Sequence, residues 1–252
     1  MIQGLYTAAG GMLAVEKRQE AIANNIANAA TPGYKRAQPV QLGFYQVFQT
    51  AMRRPAWHRA DTAPSGGVKL VDTYPSLQSG ILQDTGNDMN LALQGPGFFV
   101  VDTPAGERYT RAGSFTIDPD GHLATGDGFK VQSASGQPLA IGSGSFNVGE
   151  DGTITVDGEP AGRIRMVEFA QPYRLQHEGG NLLRASQEVE QQRAESADTR
   201  LVQGRLEMSN VSLPQEMGGM MLGLRAYEAN QRVITTIDET MGRLIDQVGM
   251  PT

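Results

Sequence analysis

The chain has 252 residues, with 27 acidic against 21 basic side chains, a formal net charge of −6, 31 glycines and no cysteine. An acidic balance lacks the electrostatic footprint of a duplex-binding protein. The missing thiol removes disulfides, thiolate catalysis and Cys-ligated zinc or iron–sulfur sites. The longest apolar runs, such as Phe98 to Val101, fall far short of the roughly 20 residues that span a bilayer, so neither a nucleic-acid partner nor membrane insertion is expected.

Reading from the N-terminus, no basic residue precedes Lys17, so a cleaved secretory signal is not expected. Leu5, Ala8, Met12, Val15, Gln19, Ile22 and Ile26 alternate spacings of three and four. That is one face of a helix. Residues 37–71 follow, with Pro39, Pro55, Pro64 and Gly66-Gly67, and read as an extended connection. Inside them Arg53, Arg54 and Arg59 surround the only tryptophan, Trp57. This cluster suits a solvated loop with one anchoring aromatic, an anionic partner surface or, least of all, a single nucleic-acid strand.

From residue 72 to 208 the texture is β. Ser114–Ile117, the turn Asp118-Pro119-Asp120-Gly121, and His122–Thr125 read as a hairpin. Gly126-Asp127-Gly128 then turns the chain into a third strand, Phe129–Gln132. Ile154–Val156 lies between Asp-Gly turns, and Arg163–Phe169 alternates polar with apolar. At the C-terminus Met217, Met220, Leu224 and Tyr227, then after one break in phase Ile234, Ile237, Met241, Leu244 and Val248, outline a second amphipathic helix. The predicted class is α+β: a discontinuous domain from 1–36 and 209–252, in which both termini form a helical coiled coil, with a mainly antiparallel β-domain inserted. Alternatively, each helix covers a face of the sheet.

Chemistry-bearing motifs are sparse. The Gly-x-Gly tripeptides at 95–97, 126–128 and 142–144 have Val100, Val131 and Asn147 where a dinucleotide fingerprint needs its third glycine. Asp118-Pro119-Asp120-Gly121 superficially resembles a calcium loop, but Leu123 and Phe129 stand where an EF-hand requires glycine and a bidentate glutamate. His58, His122 and His177 are widely separated, and neither a nucleophile elbow nor a Ser-x-x-Lys motif is present. No catalytic, cofactor or metal residue is assigned, and the chain is not expected to be an enzyme.

Two longer motifs flank this featureless chemistry. Ala23-Asn24-Asn25-Ile26-Ala27-Asn28 and Ala30-Thr31-Pro32-Gly33-Tyr34-Lys35 resemble the ANNxAN…TPGYK signature that opens the axial proteins of the bacterial flagellum. Met208-Ser209-Asn210-Val211 and Arg225-Ala226-Tyr227-Glu228-Ala229-Asn230 resemble the closing signature of that family. Leu93-Gln94-Gly95-Pro96-Gly97-Phe98-Phe99 and Tyr109-Thr110-Arg111-Ala112-Gly113-Ser114-Phe115 are similar to its β-domain motif. The four motifs, in order, cover nearly the whole chain, whose length is similar to the rod members of the rod and hook group.

The resemblance implies a structural subunit that polymerises helically through its terminal helices, forming the drive shaft and the wall of an export channel, with β-domains outside. It implies as partners further copies of the chain, other rod and axial proteins and the type III export apparatus. It implies a place in the basal-body rod crossing the periplasm, reached without a cleaved signal, and no cofactor. Gln38 to Tyr45 lacks the acidic, aromatic stretch of the distal rod protein, which favours a proximal-type relative. Assembly would run through Leu5, Met12, Val15, Ile22, Ile26, Met220, Leu224, Tyr227, Ile234, Ile237, Met241 and Leu244. Asn24 and Asn25 would either fix register across helices or end the first helix, a capping role that suits Asn28 better. The competing readings are a secreted β-rich binding or adhesive module and a hydrolase whose site is assembled only in three dimensions.

Overall fold

The computed structural model describes residues 2–42, 69–142, 146–196 and 198–248. The Arg53–Arg59 cluster and most of the 37–71 connection lie outside them. The chain divides into two compact units. One comprises 1–26, 37–73 and 212–252, the other 27–36 and 74–211.

In the first unit, α1 (Ile2–Ala27) and a long C-terminal helix (Leu213–Val248) accompany a two-stranded sheet of β1 (Ala37–Leu42) and β2 (Lys69–Pro75). The two helices run antiparallel and touch. A methyl placed on Gly4 would meet Ile237, one on Gly11 would stand 3.2 Å from the Asn230 amide, and one on Gly219 would meet Ile22. Gln19 Nε2 donates to the Met220 carbonyl at 2.9 Å, packing its side chain over Gly223. Asn25 donates to Glu216 at 3.3 Å. Positions rise along one helix as they fall along the other.

This contact face differs from the apolar stripes in the sequence. On α1, Gln19 and Ile22 belong to both, and the buried Ala8 and half-buried Val15 lie in the same phase. The remaining contact positions are Gly4, Gly11 and Asn25, one residue before Leu5, Met12 and Ile26. On the C-terminal helix Glu216, Met220, Gly223, Asn230, Ile234 and Ile237, all buried or half-buried, keep a single phase, with the half-buried Gly218 and Gly219 beside it. The break in phase disappears because glutamate, glycine and asparagine occupy three of these six sites, and a purely hydrophobic period cannot register them.

The second unit is β-rich. Its strands are β3 (Leu82–Asp84), β4 (Leu91–Gln94), β5 (Phe98–Thr103), β6 (Gly106–Thr110), β7 (Phe115–Ile117), β8 (Leu123–Thr125), β9 (Lys130–Val131), β10 (Phe146–Val148), β11 (Thr153–Val156), β12 (Glu159–Arg163) and β13 (Met166–Phe169). They continue with β14 (Gln176–Gly179), β15 (Leu182–Arg184), β16 (Arg193–Glu195), β17 (Arg200–Gln203) and β18 (Arg205–Glu207). The short helix α2 (Gln187–Glu190) precedes β16, and the C-terminal helix is α3.

The main sheet runs β14-β15-β6-β5-β9-β8-β7, with β13 also beside β5 and β16 on β13. The other sheets are β10-β11-β12, β17-β4 and β18-β3, and every strand pairing with a described register is antiparallel. The hairpin expected at 114–125 is β7-β8, with Phe115 opposite Thr125. The alternating stretch Arg163–Phe169 takes in the last residue of β12 and all of β13, and between them the Ile164 amide donates to the Gly152 carbonyl and the Arg165 amide to the Gln132 carbonyl. The chain changes sheets at that point.

β5 explains why the longest apolar run sits where it does. Phe99 and Val101 enter one core with Leu91, Phe115 and Ile154, and Phe98 and Val100 enter a second with Tyr109, Phe169 and Leu183. A strand buried on both faces must be apolar throughout.

Candidate functional site

Four sequence motifs that lie far apart in the chain meet inside the β-rich unit at one buried carboxylate, Glu207. Glu207 ends β18 and is only 1% exposed. Its Oε1 accepts from Lys35 Nζ at 2.7 Å and from the Gly80 amide at 2.8 Å. Its Oε2 faces Arg111 Nη1 at 3.4 Å, and its backbone carbonyl accepts from the Gly33 amide at 2.6 Å. Lys35 also donates to the Gln78 carbonyl at 2.9 Å. Arg111 Nη2 donates to the Gly95 carbonyl at 2.8 Å, and its guanidinium lies 4.8 Å from the Phe98 ring centroid.

Two cations therefore share one anion in a buried site. Burial pulls both the Lys35 ammonium and the Arg111 guanidinium below their ordinary values, and Glu207 opposes the shift in each case. Arg111 Nε makes no hydrogen bond. A buried pair of this kind does little for net stability, but losing one partner leaves an uncompensated charge.

Glycines let these backbones close on one another. Gly33 has φ +72°, and a Cβ there would lie 2.2 Å from the Ala112 nitrogen. At Gly113 it would be 1.5 Å from the Leu91 carbonyl oxygen, and at Gly97 2.6 Å from Thr199 Oγ1, which accepts the Gly97 amide. The adjoining Tyr34 stacks on His177 with centroids 5.6 Å apart, and Asn181 Nδ2 donates to the Pro32 carbonyl at 3.1 Å. Burial is the foremost cause of the low His177 pKa, and its Nε2 is unpartnered. Phe115 meets Phe99 edge-on at 5.0 Å.

The motif residues thus fall into groups. Pro32, Gly33, Tyr34, Gly95, Gly97, Phe98, Arg111, Gly113 and Asn210 surround this hub, and Ser209 Oγ accepts the Val211 amide at 3.3 Å beside it. Asn25 is buried in the helical unit, where Oδ1 accepts from the Ala37 amide at 2.8 Å and Nδ2 donates to the Ala37 carbonyl at 3.0 Å. Asn24 is exposed on α1, and Asn28 accepts Thr31 Oγ1 at 3.2 Å just beyond its end. Arg225 and Glu228 are exposed on α3.

Of the helix-stripe residues, Ile22 is buried, Met12, Val15, Ile26, Met220, Ile234 and Ile237 are half-buried, and Leu5, Tyr227 and Met241 lie at the exposed rim. Leu224 is 55% exposed, and Leu244 lies in the last turns of α3. Leu213, Met217 and Met221 are exposed with Leu224. Their spacing of four, four and three makes a second apolar stripe on α3. It begins one residue, about 100° of rotation, from the face that meets α1.

Motif reading missed Glu207, Glu216, Gly223 and Thr199. Glu207 had one available signal: a lysine and an arginine in motifs otherwise built for burial need a carboxylate.

Among the described residues, Asp118, Asp120 and His122 are the one group with three converging metal-type ligands. Lys130 Nζ stands 3.4 Å from Asp118 and 3.2 Å from Asp120, and Asp118 Oδ1 accepts the His122 amide. The lysine already supplies the positive charge, and the turn is a hairpin closure.

Three family models match the chain. The one described as "Flagella basal body rod protein" matches residues 5–35. "Flagellar hook protein FlgE/F/G D1 domain" matches 92–156. "Flagellar basal body rod FlgEFG protein C-terminal" matches 202–247. The Bacillus subtilis flagellar basal-body rod protein FlgG is 33% identical over 269 residues, covering 98% of this chain and 99% of that protein. FlgG of Borreliella burgdorferi is 34% identical over 261 residues, with coverages of 96% and 97%. The Rhizobium meliloti flagellar basal-body rod protein FlgF is 29% identical, with 99% of each covered.

Proposed function

The chain belongs to the flagellar basal-body rod protein family, and from that premise we propose that it builds the rod by helical polymerisation through the exposed face of α3. It is a structural subunit of the flagellar basal body, a part of the motility machinery, and works with other rod and axial proteins.

The observation that carries the finer reading is the pair of faces on α3. One is spent within the subunit on α1. The other, Leu213, Met217, Met221 and Leu224, is exposed in the single chain, and exposed apolar patches of this kind mark interaction sites. A contact between two different patches on identical subunits, with a rotation that does not close, generates an open helix. Further copies of the chain and neighbouring axial proteins are the partners. In this reading the terminal helices line the export channel. Passage through the flagellar export apparatus suits a chain without cysteine, since no disulfide can block threading. The proximal-type position rests on Gln38 to Tyr45, part of which lies outside the described residues.

Electron microscopy and sedimentation of the full chain beside a version lacking 1–30 and 215–252 test this reading. Filaments or template-dependent rods from the full chain only, with a folded monomeric β-core from the truncation, are expected. Equal assembly by both would refute it.

A further inference from the structure

The chain passes between its two units at four places, after residues 26, 36, 73 and 211. Within the β-rich unit, the segments next to the last three of these are held by one side chain. Asn210 Oδ1 accepts from the Arg36 amide at 2.7 Å, while Nδ2 donates to the carbonyls of Ser76 at 3.0 Å and Gln78 at 2.8 Å. Asn210 itself stands just before the last passage. The first passage opens the same ten-residue segment, 27–36, that Arg36 closes.

The chemistry of that position is narrow. One N–H must donate to the side chain, and two carbonyls must accept hydrogen bonds from it. A carboxamide offers both an acceptor oxygen and two donor hydrogens, whereas a carboxylate offers only acceptors and an aliphatic group neither. The three partners also fix which end of the amide is oxygen. Neighbouring bonds repeat the pattern: the Ser76 amide donates to the Arg36 carbonyl at 2.7 Å, the Met208 amide to the Ile81 carbonyl at 2.9 Å, and the Gly33 amide to Glu207. Glu207 then ties Lys35 and Gly80 together through its carboxylate. Residues 33–36, 76–81 and 207–210 are thus cross-tied on all three sides.

We propose that Asn210, seconded by Glu207, is a mechanical latch that makes every exit of the chain from the β-rich unit move as one body. Without it, a twist applied to the terminal segments would reach this unit through segments joined only by scattered backbone bonds such as Ser76 to Arg36 and Met208 to Ile81, each of which can open on its own. With it, the load enters through all of them together. The use of the latch in transmitting torque rests on the rod reading. The latch itself is a property of the isolated chain.

Hydrogen exchange measured peptide by peptide on the full chain tests it. In Asn210→Ala, exchange rises at least about tenfold, by a common factor, over residues 33–37, 76–82 and 207–212, while β5 and β6 keep their protection. In Asn210→Asp the acceptor for the Arg36 amide survives and both donors are lost. Exchange therefore rises over 76–82, while 33–37 stays protected. An increase in only one segment of Asn210→Ala, no increase, or a uniform loss of protection across the main sheet would overturn the latch. If Asn210→Ala does not fold, Asn210→Asp decides, and an equal effect on all three segments in that variant would overturn it. Because exchange is read before assembly, a failure to polymerise bears on the rod reading alone.

Discussion

Three glycine-to-alanine substitutions separate backbone strain from close approach at the hub. Gly86 has φ +66° with nothing within 4 Å of a new Cβ, so Gly86→Ala incurs strain alone, about 1–2 kcal/mol. Gly113 has no left-handed φ, but its Cβ would lie 1.5 Å from the Leu91 carbonyl oxygen. Relieving that clash separates two backbones joined by the bond from the Leu91 amide to the Gly113 carbonyl. Forced repacking of this kind costs about 3 kcal/mol. Gly33 carries both terms, with φ +72° and a Cβ 2.2 Å from the Ala112 nitrogen, and its displacement also threatens the 2.6 Å bond to Glu207. Gly33→Ala should therefore cost about 4–5 kcal/mol, a value reached only by a few defined mechanisms. Urea unfolding of the three variants under identical conditions measures the order. Equal losses at Gly33 and Gly86 would refute the claim that motif glycines are there for close approach.

Other outcomes follow from the same geometry. Glu207→Gln should destabilise the β-rich unit by about 3–5 kcal/mol, because Lys35 and Arg111 lose their anion, and Lys35→Met added to it should recover part of that loss; a double-mutant cycle by urea denaturation checks both. His177 is held neutral by burial, so its folded pKa lies below the unfolded value near 6.5. Its contribution is complete above that value and is lost as pH falls through it, because the unfolded chain takes up the proton first, at up to about 1.4 kcal/mol per pH unit. His177→Phe keeps the ring against Tyr34 and should flatten that part of the profile, as read from urea midpoints at pH 7 and 5; an unchanged slope would sink the assignment. In a chain without native cysteine, Gly11→Cys with Asn230→Cys should form an intrachain disulfide under mild oxidation, and Gly4→Cys with Asn230→Cys should not.

The sequence made half of each helix interface legible. Ala8, Val15 and Ile22 lie where the period put them because they are apolar, while Gly4, Gly11 and Gly223 act through smallness and Asn25 through hydrogen bonds, which leave no hydrophobic signal. That is also why an apparent break in phase on α3 vanished in three dimensions. The β-domain was readable at its turns, where Asp-Gly pairs demand left-handed or tight geometry, as at Gly121 with φ +81°. It was less readable at Ile164 and Arg165, since alternation continues through the switch between sheets. The hub was half visible. Gly33, Arg111 and Gly113 stood out as motif residues, but their convergence on Glu207 depends on pairings between residues as distant as Lys35 and Glu207, which no local pattern encodes.

Assembly as proposed requires α3 to spend one face on α1 and offer the other to a neighbour. Met217 and Leu224, each 55% exposed, can carry charge without disturbing the subunit itself. Basal bodies purified from cells whose sole copy is Met217→Glu/Leu224→Glu should lack this chain, and the cells should not swim, although the protein accumulates and its β-rich unit unfolds at the wild-type urea midpoint. Normal incorporation of the doubly charged chain into the rod would contradict the account.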